Sequence, residues 1–224
     1  MKSGFPGFPP DTLRFLRRLK RNNDREWFQA HKDEYERFVR EPMIELVTGL
    51  GLAVQSFAPE MVADPKRCIY RIYRDTRFSH DKTPYKTQIA ALFWPRGQAK
   101  HASASLYFHV APAEVLIAGG VYMPGSAELR RIRRHTAARH AELRRILKSR
   151  SLIRLFGGLE GEQLTRAPQG FAPDHKAIDL LRRKQFLLYT SEPAKLAESL
   201  DLIKRLVVSF SAMMPFIRFL NAPL

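Results

Sequence analysis

The chain has one cysteine in 224 residues, no run of about 18 apolar residues, and only 22 acidic side chains against 38 basic ones. A single thiol, Cys68, excludes an intramolecular disulfide and any multi-thiolate zinc site, so packing must hold the fold and a cytoplasmic location is expected. The missing apolar run argues against a membrane span, and the opening Met1-Lys2-Ser3-Gly4-Phe5-Pro6 lacks the apolar core of a secretion signal. Repeats, low-complexity tracts and Pro/Ser-rich linkers are also lacking, which predicts one domain over 1–224. The shortage of acids leaves a formal charge of +16 and points to a polyanionic partner such as nucleic acid, phosphate esters or an anionic membrane surface. Arginine placed on a solvated surface explains the same number without any partner.

Large apolar side chains are plentiful. Fifteen Phe, seven Tyr and two Trp supply enough buried area to offset the entropy of ordering the chain. Helices are expected over about 11–57. Pro9-Pro10-Asp11 starts one through Leu13, Phe15, Leu16 and Leu19, and Asn22-Asn23 breaks it. Asn23 with Glu26 resembles a capping box for a stripe of Trp27, Phe28, His31, Tyr35, Phe38 and Val39, in which His31 reads as a packed residue. Pro42 then opens a helix that is apolar most of the way round.

Between about 67 and 122 the period becomes alternating. Strands are expected from about 66 to 75, with Cys68, Tyr70 and Ile72 inward, at Gln88–Trp94, at Ser103–Val110 and at Glu114–Tyr122. The last two read as a hairpin through Ala111-Pro112-Ala113, with Gly119-Gly120 marking a bulge or a close backbone approach. A helical part over about 126–215 follows. Ser126 caps a helix to about Lys148, Ser151–Phe156 forms a short one, and Asp174 caps one through Leu181. Gln185–Thr190 reads as a strand, and Ser191 with Pro193 opens a final helix that Pro215 ends. The sum is an α+β domain with a mainly antiparallel sheet flanked by helices.

The densest chemistry lies in 70–87, a strand running into a loop. Arg71, Arg74, Arg77, Lys82 and Lys86 face only Asp75 and Asp81, with Ser79, Tyr85 and Thr87 as hydroxyl donors. Arginine offers a planar fork for phosphate or carboxylate, lysine a mobile point charge, and tyrosine a donor or a stacking face. The expected function is therefore binding of an anionic, perhaps phosphorylated, small molecule by Arg71, Arg74, Arg77, Ser79, Lys82, Tyr85 and Lys86. Two other readings compete for the segment. In one, Asp75 or Asp81 acts as a general base or metal ligand of a phosphoester-acting enzyme. In the other, the two aspartates simply pair with the arginines around them, and Tyr70, Phe78 and Tyr85 pack the strand end.

A further alternative is non-specific nucleic-acid binding by the helix at 129–148, through Arg130, Arg131, Arg133 and Arg134. Residues 126–150 hold nine Lys or Arg against Glu128 and Glu142, a net +7. No helix-turn-helix, zinc finger or ribonucleoprotein signature accompanies it. Seven histidines occur without a metal-binding spacing, and there is no Walker loop, Gly-x-Gly-x-x-Gly or Gly-x-Ser-x-Gly, so no cofactor and no metal are expected. The sequence carries no signature of oligomeric state.

These motifs resemble the family known as domain of unknown function 2461. The similarity runs through Phe15-Leu16, Leu19, Asn22-Asn23, Arg25, Trp27-Phe28 and Tyr35, then Arg71, Arg74-Asp75, Arg77-Phe78-Ser79, Asp81-Lys82 and Pro84-Tyr85-Lys86. Gly119-Gly120, Pro124, Arg133, Pro168, Gly170-Phe171 and Asp174-His175 extend it over nearly the whole chain. The resemblance implies one domain and carries no reaction with it. The family has another polar or basic residue where His80 stands, which counts against a catalytic histidine there.

Overall fold

Apolar periodicity and backbone hydrogen-bonding capacity place most of the elements where the pattern predicts them, and the exceptions are one missing strand and several helix ends. The structure is a computed structural model that describes residues 4–77 and 79–224. It is a single-domain α+β fold in which a four-stranded antiparallel sheet is flanked by helices. The strands β1 (Ile89–Phe93), β2 (Ser105–Val110), β3 (Glu114–Val121) and β4 (Phe186–Pro193) lie in the order β1-β2-β3-β4. Two compact units are distinguishable. One comprises Met1–Phe93, Tyr107–Ile117 and Ser191–Val208, and the other Trp94–Leu106, Ala118–Thr190 and Ser209–Leu224. Strands β2, β3 and β4 each contribute residues to both units.

In the first unit, α1 (Pro10–Arg21) buries Leu13, Phe15, Leu16 and Leu19, as its spacing requires. The next helix, α2 (Arg25–Ala30), is capped by Asp24, whose carboxylate accepts from the Trp27 N–H at 2.8 Å. Asn23, expected at that cap, is engaged elsewhere. His31 breaks the stripe between α2 and α3 (Lys32–Tyr35), and a π-helical turn, Glu36–Arg40, leads into α4 (Glu41–Phe57). The His31 ring stacks on Trp27 at 4.2 Å and its Nδ1 lies 2.7 Å from the Trp27 carbonyl, as a packed histidine should. Helix α4 buries Met43, Leu46, Val47, Leu50 and Val54 but leaves Leu52 exposed.

The expected strand from 66 does not form. Asp64 caps a helical turn, α5 (Pro65–Cys68), because Pro65 has the fixed φ of a first helical residue. Beyond it the chain is extended but pairs only at isolated antiparallel bridges, Ile69 with Ala91 and Tyr73 with Tyr85. Pro84 has no N–H to give a continuous ladder. Cys68 is buried, as expected, and its thiol donates to the Val62 carbonyl.

The hairpin β2–β3 has the expected turn, with the Ala111 N–H donating to the Glu114 carbonyl at 2.9 Å. Gly120 has φ +132°, and a Cβ there would collide with the Phe186 carbonyl oxygen, so the close approach read from Gly119-Gly120 is real.

In the second unit, α6 (Ser126–Leu147) begins with Gly125, not Ser126, at its cap, and bends where Arg139 leaves helical geometry. Helix α7 spans Arg150–Phe156. Helix α8 is only Ile178–Leu181. Ahead of it the His175 ring accepts from the Ala177 N–H, so Asp174 caps nothing. Strand β4 runs on through Ser191 and Pro193. A 3-10 turn, Ala194–Glu198, separates it from α9 (Leu202–Asn221), so Ser191 does not open that helix. Pro215 sits inside α9 without ending it. Both Pro215 and Ser211, whose carbonyl loses its partner, face solvent, where water can replace the missing hydrogen bond. Among the described residues no helix is long and apolar enough to cross a membrane.

Candidate functional site

An irregular segment must be fixed by something other than a strand ladder, and aromatic packing does that for residues 69–88. Tyr85 is buried and stacks on Phe28 at 4.1 Å, and Tyr73 leans on Tyr85 at 5.4 Å. Phe28 in turn meets Tyr35, which continues through Phe15 to Trp27. Asn23 supplies the polar anchor. Its amide nitrogen donates to the Tyr85 carbonyl and its oxygen accepts from the Tyr85 N–H, both at 3.0 Å, so one side chain substitutes for a bridge partner across 62 residues.

The charges of the loop are largely spent on the loop itself. Arg77 holds Asp75 in a fork, Nε to Oδ1 at 3.0 Å and a terminal nitrogen to Oδ2 at 2.8 Å. Arg74 donates to Asp81 and to the Thr83 hydroxyl. The Thr83 N–H also reaches Asp81, at 3.0 Å. Lysines staple the backbone. Lys82 Nζ donates to the Thr76 carbonyl at 3.0 Å, and Lys86 Nζ to the carbonyls of Arg71 at 2.7 Å and Tyr73 at 3.2 Å. Lys86 also lies over the Tyr70 ring at 5.5 Å.

Hydrogen bonds from Arg77 hold the Asp75 carboxyl down to about 2, and those from the Thr83 N–H and Arg74 do the same for Asp81. Both therefore carry full charge at neutral pH and attract protons weakly. Burial raises the Tyr85 phenol, keeping it neutral.

What remains is an open cleft of about 640 Å³. Arg74, Tyr85 and Lys86 of the expected ligand set line it, together with Asp75 and Asp81. Arg71, Arg77, Ser79 and Lys82 do not belong to its wall, and Phe78 lies outside the described residues. The sequence reading missed Lys20, Asn23 and Gln88. Lys20 comes from the last turn of α1, and no local signal connects it with a loop more than 50 residues away. The Asn22-Asn23 pair was visible, but as a helix break. A smaller hollow of about 240 Å³ beside Arg25, Gln29 and Thr76 shares Tyr73, Arg74 and Tyr85 with this region.

The arginine helix is arranged differently. Arg133 is turned inward, 9% exposed, and donates to the Arg183 carbonyl at 3.0 Å. Burial pulls its guanidinium below its ordinary value. Arg131 pairs with Glu128, and only Arg130 and Arg134 of the expected quartet are exposed without a side-chain partner among the described residues. No three His, Cys, Asp or Glu side chains among the described residues are grouped so that they can hold a metal ion.

Compared with known families, residues 11–219 match the profile described as conserved hypothetical protein (DUF2461). No curated protein matches the chain.

Proposed function

The chain belongs to the DUF2461 family of conserved hypothetical proteins, and we propose that within it the cleft beside residues 74–88 binds a small anionic ligand, of the class of phosphate esters. The observation that carries this reading is the convergence of Lys20, Arg74 and Lys86, from two separate segments, on one open cleft with neutral donors Asn23, Thr83, Thr87 and Gln88 around it. Three wall cations, Lys20, Arg74 and Lys86, stand against Asp75 and Asp81, and Asp75 is paired by Arg77 from outside the wall, so the cleft retains net positive charge toward a ligand. Their presence favours an anion that also carries hydroxyl groups, which can donate to a carboxylate.

General-base work by Asp75 or Asp81 has less support. A carboxyl held at about 2 is a poor proton acceptor at neutral pH. Nucleic-acid binding through α6 keeps Arg130, Arg131 and Arg134 but not the inward Arg133.

The test is thermal shift of the nuclease-treated protein against inorganic phosphate, phosphate monoesters of polyols and short DNA, at low and high salt. A ligand that binds only the folded state raises the Tm. A salt-resistant shift with a small phosphate ester, lost in Arg74→Ala and Lys86→Ala, is expected. A shift seen with DNA alone and erased by salt overturns the cleft in favour of α6.

A further inference from the structure

Behind the cleft wall stands a chain of polar groups that the loop chemistry does not use. Gln88, a wall residue, donates from Nε2 to the Tyr107 oxygen at 3.3 Å. The Tyr107 hydroxyl lies 3.1 Å from His109 Nδ1, and His109 Nε2 lies 3.6 Å from Glu114 Oε1. The Ser191 hydroxyl donates to the other oxygen of Glu114. Three strands, β2, β3 and β4, thus supply Tyr107 with His109, Glu114 and Ser191, while Gln88 precedes β1. His109 is 7% exposed.

Because the Tyr107 oxygen accepts from Gln88, its phenolic proton can go to His109 Nδ1, which leaves the imidazole N–H on Nε2, facing Glu114 at 3.6 Å without a hydrogen bond. A histidine so placed can take a proton on Nδ1 with a carboxylate behind it to stabilise the cation, against burial, which lowers its proton affinity. The titratable groups against it are Tyr107 from its own strand and Glu114 from β3. Tyr70, whose ring meets Tyr107 edge-on at 6.3 Å, and Lys86 over Tyr70 lie on the path back to the cleft.

We propose that Tyr107, His109 and Glu114 form a proton relay for the cleft, so that a phosphate-class anion bound there is taken up together with one proton that comes to rest on His109 Nδ1. This rests on the cleft being an anion site. In the step, the Tyr107 O–H bond breaks as the His109 Nδ1–H bond forms, and solvent returns a proton to the Tyr107 oxygen through the cleft. No electron pair leaves its atom's octet, and nothing is oxidised or reduced. The imidazolium then attracts the anion across Tyr107 and Gln88, and by reciprocity the anion holds the proton on His109. With a side chain on either side of the gap and screening by salt, the coupling is about threefold in affinity.

Sulfate is the probe, because its charge is constant from pH 5 to 8 and any proton taken up belongs to the protein. Every measurement uses a His80→Gln background, which removes the histidine of the loop itself. Calorimetry in buffers of different ionisation enthalpy should show about threefold tighter sulfate binding at pH 5.5 than at pH 7.5, with net proton uptake at intermediate pH. Saturating sulfate should raise the His109 imidazole titration midpoint, followed by NMR, by about half a pH unit, the same threefold expressed as a shift. Tyr107→Phe, which keeps the ring, should retain sulfate binding at pH 7.5 and lose the coupling. His109→Gln should do the same. Sulfate binding without pH dependence, or with a dependence that survives both variants, overturns the relay and leaves the anion cleft standing. Absence of sulfate binding at either pH overturns both.

Discussion

Two stretches of this chain have the same charge signature and opposite uses for it. The loop at 71–86 and the helix α6 are each arginine-rich, and from composition alone each reads as a surface for a polyanion. In the loop the cations hold the backbone. Arg77 and Arg74 pair with the two aspartates, and Lys82 and Lys86 cap carbonyls that a strand ladder would otherwise satisfy. In α6 the regular backbone needs no such help. Its arginines reach instead for other elements or for solvent. Arg133 takes the Arg183 carbonyl, and Arg144 takes Asp179 and the Lys176 carbonyl. A charge count therefore does not distinguish a staple from a binding group. What distinguishes them is whether the local backbone is already hydrogen-bonded.

The comparison breaks most visibly at Arg133. Arg133→Ala removes a charge-assisted hydrogen bond to a carbonyl and leaves a gap in a buried place, at a cost of about 2 kcal/mol. Arg130→Ala and Arg134→Ala, on the exposed side of the same helix, should each stay within about 0.5 kcal/mol. Urea denaturation of the three variants checks this. Equal effects would mean that α6 has no inward and outward arginine.

For the loop the corresponding anchor is Asn23, which lies outside it, just after α1, and is not charged at all. Asn23→Ala removes both hydrogen bonds to the Tyr85 backbone and should cost about 1–2 kcal/mol, with faster amide exchange at Tyr85. Arg77→Ala at the exposed Asp75 pair should cost clearly less than Asn23→Ala, as surface pairs do. If Arg77→Ala is the more damaging of the two, ion pairs and not the Asn23 bridge hold the loop.

These residues also show what was legible in the sequence. The α+β class, the three strands of the hairpin region and the Gly120 approach follow from alternation and from the one residue that tolerates φ +132°. The ion pairs of 74–83 were legible because their partners are close in sequence. Asn23 was not, because its partner is 62 residues away and an asparagine after a helix is as good a cap as a bridge. Arg133 sits one position after Ile132, and the apolar stripe gives no sign that a guanidinium beside it is drawn in. His109 alternates correctly on β2. Its partners Tyr107 and Glu114 lie within a few residues of it, but their spacing matches no metal or catalytic motif. Pro215, expected to end a helix, is tolerated inside one, and Pro65, to which no expectation was attached, starts a helical turn where a strand was expected from about 66.

The smallest expected effect separates the two regions by pH. In the loop, Asp75 and Asp81 titrate near 2 when folded and 3.8 when unfolded, so their contribution is fully present above pH 3.8 and is lost as pH falls toward 2. In α6 the relevant group is His135, which burial, followed by the neighbouring Arg139, pushes below the ordinary 6.5. A group with a depressed histidine value binds its proton more readily when unfolded. Its effect is absent above pH 6.5, and stability declines as pH falls from 6.5 to the folded value, where the decline stops. His101 and His109 are lowered by burial as well and add to this limb. His135→Gln should shrink the decline between pH 6.5 and 5 and leave the acid limb below pH 4 intact. The double variant Asp75→Asn with Asp81→Asn should shrink the acid limb, of which Asp179 beside Arg144 keeps a share, and leave the histidine limb alone. Stability curves against pH for the two variants check the separation, and a variant that moves both limbs would show that loop and helix do not titrate independently.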